Sequence, residues 1–398
     1  MILSEINISR TLARRYVERC CIKVEQDGKT IQAFTEFEGK MRVTDWGGTS
    51  SAIYLFQQIG TSGDIEFEKK LNQAKKWLLS NQSQEGAWEA AEMHCCEATA
   101  AVLFDLSNTS LLSKKQIEKA VTYIRSCYIQ DGGYFVSRPG ISQMPHLYTT
   151  YLAVRSLSII KHQSFNSIVK NKVIQWVDNA KATDGLWGAT SQTLEGDVVH
   201  TVFALLIMYY CGVDNKIINK KYHKQIKWLK NKIKDCSTIN NAFTYEATEV
   251  YEDSKNDADG AGAYILKSYH FNIALMCSLF IKIGELGVSQ RLIQKLLNLQ
   301  APGGGWGLRN ERKEFVWATQ QAIDCMQEFE RALFSGKNRL ISLLRSFAYS
   351  IPYFGTKLTL MFIMVPILIW LIKAGQKGPD IILSIIMMIV PWLIKKED

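Results

Sequence analysis

"NQSQEGAW" at residues 81–88 and "LQAPGGGW" at residues 299–306 carry one phrase: a glutamine, a glycine four positions later and a tryptophan two beyond that. Each follows a helical pattern with a wet, lysine-bearing face, "LNQAKKWLLS" and "QRLIQKLLNL". "YIQDGGY" and "NAKATDGLW" are looser copies that lack the leading glutamine. The glycine stops a helix where a left-handed or tight conformation is needed. Trp77 precedes Trp88 by 11 residues, as Tyr123 precedes Tyr134 and Trp176 precedes Trp187. This spacing predicts aromatic contact across each turn.

Between these turns lie six apolar segments: "WGGTSSAIYLF", "CEATAAVLFDL", "HLYTTYLAVRSL", "VVHTVFALLIM", "SYHFNIALMCSLF" and "VWATQQAIDCM". With Thr49, Thr99, Thr149, Thr201, Phe271 and Thr319 as equivalent positions, the intervals are 50, 50, 52, 70 and 48 residues. A repeat of that length is one supersecondary unit stacked many times. Half of the predicted helices are wet on one face. The others are apolar all round, as helices covered on both sides must be. "ISRTLARRYVERCC" supplies the first outer partner. The expected fold is all-α, an α/α toroid of six helix pairs with an inner and an outer ring, closed because neither end shows a polar cap.

The composition shifts near residue 346. Two uncharged stretches, 358–372 and 381–394, flank the turn "KAGQKGPD". Each spans about 22 Å as a helix, against a hydrocarbon core of ~30 Å. We expect a toroid domain over 1–335, a linker and amphipathic entry over 336–357, and a two-helix transmembrane hairpin over 358–398. Lys and Arg at 337, 339, 345, 395 and 396 outnumber Lys373 and Lys377. This predicts a membrane protein with the large domain and both termini facing the cytoplasm. The nine cysteines show no CxxC pair, and reduced thiols are expected. The net charge of +9 is spread over helix surfaces, which favours membrane lipids as an electrostatic partner and argues against nucleic acid.

Gln82, Gly86 and Trp88, with Gln300, Gly304 and Trp306, match the glutamine–tryptophan repeat of squalene and hopene cyclases. The whole unit resembles the α/α toroid of class II terpenoid cyclases and protein prenyltransferase β subunits, over residues 5–335. The resemblance implies an isoprenoid or lipid-like ligand in a central apolar cavity. Cyclases of this kind carry a DxDDT acid motif, where this chain reads Asp197, Val198, Val199, His200, Thr201. The first Asp and the Thr match, and the central acid is missing. The prenyltransferases hold zinc with an Asp, a Cys and a His. Asp197 and His270 fall on two of these positions and Val199 on the cysteine, so the resemblance implies Zn2+ on Asp197, His200 and His270 with an open fourth site.

Glu97, ahead of Thr99, is a candidate general acid or a helix cap. His146, Tyr148, Tyr269, Phe271 and Trp317 are expected to line the upper cavity. Arg309, Arg312 and Lys313 offer cations for a diphosphate or for lipid headgroups. The insertion that lengthens one interval to 70 residues, with Asp253, Asp257 and Asp259, reads as a lid, a divalent-ion loop or a solvated loop. Two functions follow. In one, a membrane-anchored prenyltransferase-like or cyclase-like protein binds the isoprenoid, with a separate partner subunit in the prenyltransferase case. In the other, a non-enzymatic sensor or effector recognises a ligand through the toroid and self-associates through the hairpin to perturb the membrane.

Overall fold

The protein is represented by a computed structural model. It describes residues 2–26, 28–40, 47–90, 93–107, 109–140, 145–190, 193–233, 242–251, 263–308 and 313–334. All but the last two of these lie in a compact unit, residues 1–332. The expected hairpin at 358–398, its linker, Arg309, Arg312 and the three insertion aspartates lie outside the described residues. Among the described residues no helix is long and apolar enough to cross a membrane.

Six inner helices form one ring: α2 (Gly47–Ile59), α4 (Cys96–Ser107), α6 (Leu147–Ile159), α8 (Val198–Tyr210), α11 (Asn272–Lys282) and α13 (Val316–Phe334). The outer ring comprises α1 (Ile2–Arg19), α3 (Ile65–Ser80), α5 (Lys114–Ser126), α7 (Ser167–Asn179), the broken pair α9 (Asn215–Lys221) and α10 (His223–Lys232), and α12 (Leu286–Leu299). Inner neighbours pack in the order α2, α4, α6, α8, α11. On one side of α13, Cys325 Sγ donates to the Ala274 carbonyl and Lys282 pairs with Glu328. On its other side the Tyr54 hydroxyl donates to Asp324 at 2.7 Å. The ring is therefore closed, and outside it α1 packs on both α2 and α12.

Local chemistry sets the helix starts. Asp64, Ser113, Asn166, Asp197 and Asp214 cap α3, α5, α7, α8 and α9 with side-chain oxygens. Inner helices are buried over most of their length: every residue of α8 from Val199 to Met208 is buried. Exposed strips recur only on the outer helices.

The repeated glutamine–glycine–tryptophan phrase now has a physical account. Trp88 Nε1 donates to the Leu78 carbonyl at 2.9 Å, Trp187 to Val177 at 2.7 Å and Trp306 to Leu296 at 2.8 Å. The indole thus occupies a carbonyl that the helix end leaves without a partner. Gln82 Nε2 bridges its own turn, at Gly86 O, to Gln116 O of the next outer helix. Gln300 does the same between Gly304 O and Ser9 O, so the phrase also fastens the last repeat to the first. Where the third unit lacks this glutamine, Gln225 reaches back from α10 to Gly185 O. Gly86 and Gly304 sit at φ +98° and +103°, and a Cβ there would lie 2.4 Å and 2.3 Å from the carbonyl oxygens of Lys119 and Leu12. The ring contacts of the post-turn aromatics are with the following repeat and not with the aromatic of their own helix: Tyr134 meets Trp176 at 5.6 Å and Trp187 meets Tyr222 at 5.7 Å.

Two expectations are corrected. Strands interrupt the all-α pattern, because five two-stranded antiparallel hairpins precede inner helices. They are β1 (Cys21–Gln26) with β2 (Lys29–Phe34), β3 (Glu89–Ala90) with β4 (Met93–His94), β5 (Tyr128–Ile129) with β6 (Tyr134–Phe135), β7 (Phe243–Tyr251) with β8 (Ala263–Phe271), and β9 (Trp306–Leu308) with β10 (Lys313–Phe315). The register also differs in two units. The threonine that accepts the post-turn amide is Thr49, Thr99, Thr150, Thr201 or Thr319, so Thr150 and not Thr149 is the equivalent. Phe271 ends a strand just outside α11 and is not its counterpart.

Candidate metal centre at the ring mouth

The inner helices bring their N-termini to one rim. His146 caps α6, Asp197 caps α8, His200 lies in the first turn of α8, and His270 sits one residue from the end of β8. Glu246 on β7 stands among them. Its Oε1 lies 2.7 Å from His146 Nε2 and 3.3 Å from His200 Nε2, and its Oε2 lies 2.7 Å from His270 Nε2. The three histidines are buried, and only 10% of the Glu246 side chain is accessible.

Strand alternation explains why one hairpin serves two purposes. Thr244, Glu246 and His270 share one face, while Phe243, Tyr245, Tyr269 and Phe271 share the other. Phe243 stacks on Phe271 at 4.5 Å, Tyr269 on Phe315 at 6.0 Å and Phe315 on Trp317 at 5.6 Å. The hairpin is thereby pinned to α13 by aromatics and offers its polar face to α6 and α8. The expectation that Tyr148, Tyr269, Phe271 and Trp317 line one cavity is therefore corrected. Tyr148 alone joins the histidines, 4.7 Å from the His270 ring and 5.5 Å from Phe203.

Asp197 is not a member of the converging set. Its Oδ1 accepts the His200 backbone N–H, and its Oδ2 lies 2.6 Å from His200 Nδ1. That contact fixes the proton on Nδ1 and turns Nε2 toward Glu246. Nε2 is buried without a hydrogen bond, since the 3.3 Å approach to Glu246 lies outside hydrogen-bond geometry. Burial pulls the His200 pKa down. The hydrogen bond to Asp197 and the charges of Asp197 and Glu246 outweigh it and carry the value up to about 9. Burial alone raises Glu246, but its three histidine partners drive it far below the carboxylate range. His270 is held below its ordinary value by burial and by the charges of His200 and His146, against the pull of Glu246.

Among the described residues, the donor set that fits one ion is His146, His200 and Glu246, whose ligand atoms lie within 4.8 Å of one another. This corrects the set Asp197, His200 and His270. Ligands of a tetrahedral zinc stand roughly 3.3 Å apart at zinc–nitrogen distances near 2 Å, which is the His200–Glu246 separation. With neutral histidines, Glu246 and Asp197 give the site a charge of minus two, matched to a divalent cation. His146 carries a cost: its Nδ1 accepts the Tyr148 N–H at 3.3 Å, so ligation through Nε2 moves the ring proton and gives up that long cap bond.

Glu97 lies elsewhere on the rim. Its Oε1 accepts from Ser137 Oγ at 2.5 Å and from Thr149 Oγ1, and its buried Oε2 has no hydrogen-bond partner. Lys313 stands on β10 with its ammonium 5.6 Å from the Phe37 ring centroid.

Below the mouth the ring interior is not uniformly apolar. Tyr151 stacks on Phe203 at 4.8 Å and Tyr54 on Phe104 at 5.9 Å. The Arg155 guanidinium lies 3.2 Å from the Phe104 centroid, Gln320 donates across the ring to Asp105 at 2.7 Å, and Lys282 pairs with Glu328. Sequence patterning did not reveal these buried charges, since Arg155 and Lys282 each sit singly in an apolar helix.

These features define a closed α/α barrel with a polar site at its N-terminal rim. Residues 90–266 match the prenyltransferase alpha-alpha toroid domain family, in agreement with the closed ring of helix pairs. No curated protein matches the sequence. Among solved structures it is similar to one described as a novel alpha-amylase from Clostridium perfringens (12% identity, 81% of this chain and 98% of that chain, TM-score 0.49). It is also similar to the type II terpene cyclase MstE from Scytonema (11% identity, 84% and 99%, TM-score 0.32). A variant of that cyclase in complex with geranylgeranyl dihydroxybenzoate gives 12% identity, 83% and 99%, and TM-score 0.33. At such identities and scores these likenesses do not bear on what this chain binds.

Proposed function

We propose that the toroid is a divalent-metal protein that takes an isoprenoid-like chain through its mouth, with His146, His200 and Glu246 as ligands and Asp197 orienting His200. The observation that carries this is the convergence of buried imidazoles on Glu246 with His200 Nε2 left without a hydrogen bond. A buried nitrogen in that state is costly unless something absent from the chain completes it. Zinc in such a site supplies Lewis acidity, lowering the pKa of a bound water or thiol toward neutrality. Asp197 holds the tautomer that leaves Nε2 available, the role carboxylates play behind ligating histidines. Tyr148 and Phe203 offer ring faces to an apolar chain at the mouth. The central acid of the DxDDT pattern is missing, with Val199 in its place, so proton-initiated cyclisation is not proposed. Attachment to a membrane through 358–398 rests on the sequence and gives an apolar ligand a source in the bilayer.

The test is metal content of the full chain purified in mild detergent, together with the absorption spectrum after cobalt substitution. Near-stoichiometric zinc or cobalt is expected, lost in His200→Ala and in Glu246→Gln. Farnesyl diphosphate is then the binding probe. If wild type and both variants hold the same trace of metal, the metal centre is refuted. If the probe does not bind either, the sensor or effector reading takes its place.

A further inference from the structure

A second site lies at the seam where the ring closes. Asn7, Arg10, Thr11 and Arg14 recur at the spacing of one face of α1. With Gln58 of α2 and Gln327 of α13 they line a cavity of about 370 Å³. Arg10 gives both terminal nitrogens to Glu330, at 3.2 and 2.5 Å. Arg14 gives one, to the Thr61 carbonyl at 3.2 Å. The Nε atoms of both arginines are buried and have no hydrogen-bond partner.

We propose that this cavity binds a phosphate-type oxyanion, either a free phosphorylated small molecule or a phospholipid headgroup. Unpaired buried guanidinium N–H groups are expensive, and two of them on arginines that line one cavity call for an acceptor with several oxygens. The charge agrees: Arg10 and Arg14 exceed Glu330 by one positive charge. The volume suits an anion with its water shell, since liquid water takes about 30 Å³ per molecule. Neighbouring side chains are engaged with one another and leave the arginine hydrogens free of competition. Gln327 Nε2 and Arg331 are already committed to Gln58, on its backbone and side-chain oxygens respectively. The bound anion would draw together α1, α2 and α13, the helices that meet where no covalent link joins first repeat to last. This site is independent of the metal centre.

The experiment uses the full chain in detergent with inorganic diphosphate as the soluble probe, by calorimetry at constant ionic strength. Phosphatidylcholine vesicles with and without phosphatidate form the second arm. Saturable one-site binding and a raised unfolding temperature are expected, with roughly tenfold weaker binding in Arg14→Gln. That substitution leaves the Arg10–Glu330 clamp in place. If Arg14→Gln fails to fold, Gln58→Leu serves in its stead. Binding confined to the diphosphate arm assigns a soluble ligand, and binding confined to phosphatidate vesicles assigns a headgroup. Absence of saturable binding in both arms up to about 10 mM, or binding unchanged by the substitution, overturns the proposal.

Discussion

Asp197→Asn isolates the electrostatics of the mouth from its architecture. Asparagine caps a helix as well as aspartate does, so the 2.9 Å bond from the His200 amide can persist while the charge beside His200 Nδ1 is lost. In the wild type the His200 pKa rises from 6.5 to about 9, because Asp197 and Glu246 overcome a burial effect of opposite sign. A histidine raised on folding contributes stability that is complete below its unfolded value and is lost as pH climbs through its folded one. At about 1.4 kcal/mol per pH unit the full shift is worth about 3 kcal/mol. The Asp197 side chain is 45% accessible, and screening reduces the expected figure to about 2 kcal/mol. His270, lowered on folding, works in the opposite sense: its contribution is present above 6.5 and fades in acid. Glu246 keeps its contribution down to strongly acidic pH. Metal-free protein should therefore be most stable near pH 6.5 and weaken toward pH 9. For a unit of 332 residues at about 2.1 cal/mol/K per residue, 2 kcal/mol is about 3 °C in Tm. Thermal unfolding at pH 6.5, 7.5 and 9, beside NMR titration of the imidazole, measures both quantities. In Asp197→Asn the titration should move to lower pH and the slope between 6.5 and 9 should flatten. Superimposable wild-type and variant profiles would refute the reasoning.

Gly304→Ala should lower stability by about 3 kcal/mol or more, combining a positive φ with a clash against the Leu12 backbone. Gly284→Ala, where φ is +85° and nothing lies within 4 Å, should cost only about 1 kcal/mol in the same urea titration. Trp306→Phe removes the donor to Leu296 and should cost about 1–3 kcal/mol by thermal unfolding, chiefly through an orphaned carbonyl and lost contact area. Thr150→Val should speed hydrogen exchange at the Phe135 amide, while Thr149→Val should leave that amide protected, because only Thr150 accepts its N–H. Metal affinity, if the centre is as proposed, should fall about tenfold per pH unit below 9, since the ion must displace the His200 proton.

The ring was legible in the sequence because its determinants are local and repeated. A glycine at positive φ, a tryptophan ten residues past the carbonyl it satisfies and a buried threonine recur at near-constant spacing. The three shortest hairpins were not legible: strands of two or three residues leave no alternation to see. The long hairpin did carry one, in "FTYEATEVY", where aromatic and polar residues trade places every second position. That alternation could have set Glu246 apart from Tyr245. His200 and His270 were found through family positions, and His146 through its place before a helix. The acceptor they share lay in the 70-residue interval, where no repeat position marked it. Asp197 was assigned the wrong task because alignment gives a residue's place along the chain and not which atom it faces.

Closure between α13 and α1 also constrains biosynthesis. Arg10 finds Glu330, and Gln300 finds Ser9, across separations of 320 and 291 residues. Until the ribosome has released almost the whole barrel, the apolar stripe of α1, with Ile6, Ala13 and Val17, waits without its final neighbours. Such distant pairings form late and slowly. A nascent chain stalled in the fifth repeat should therefore engage holding chaperones through its first helix, and release should coincide with synthesis of the sixth.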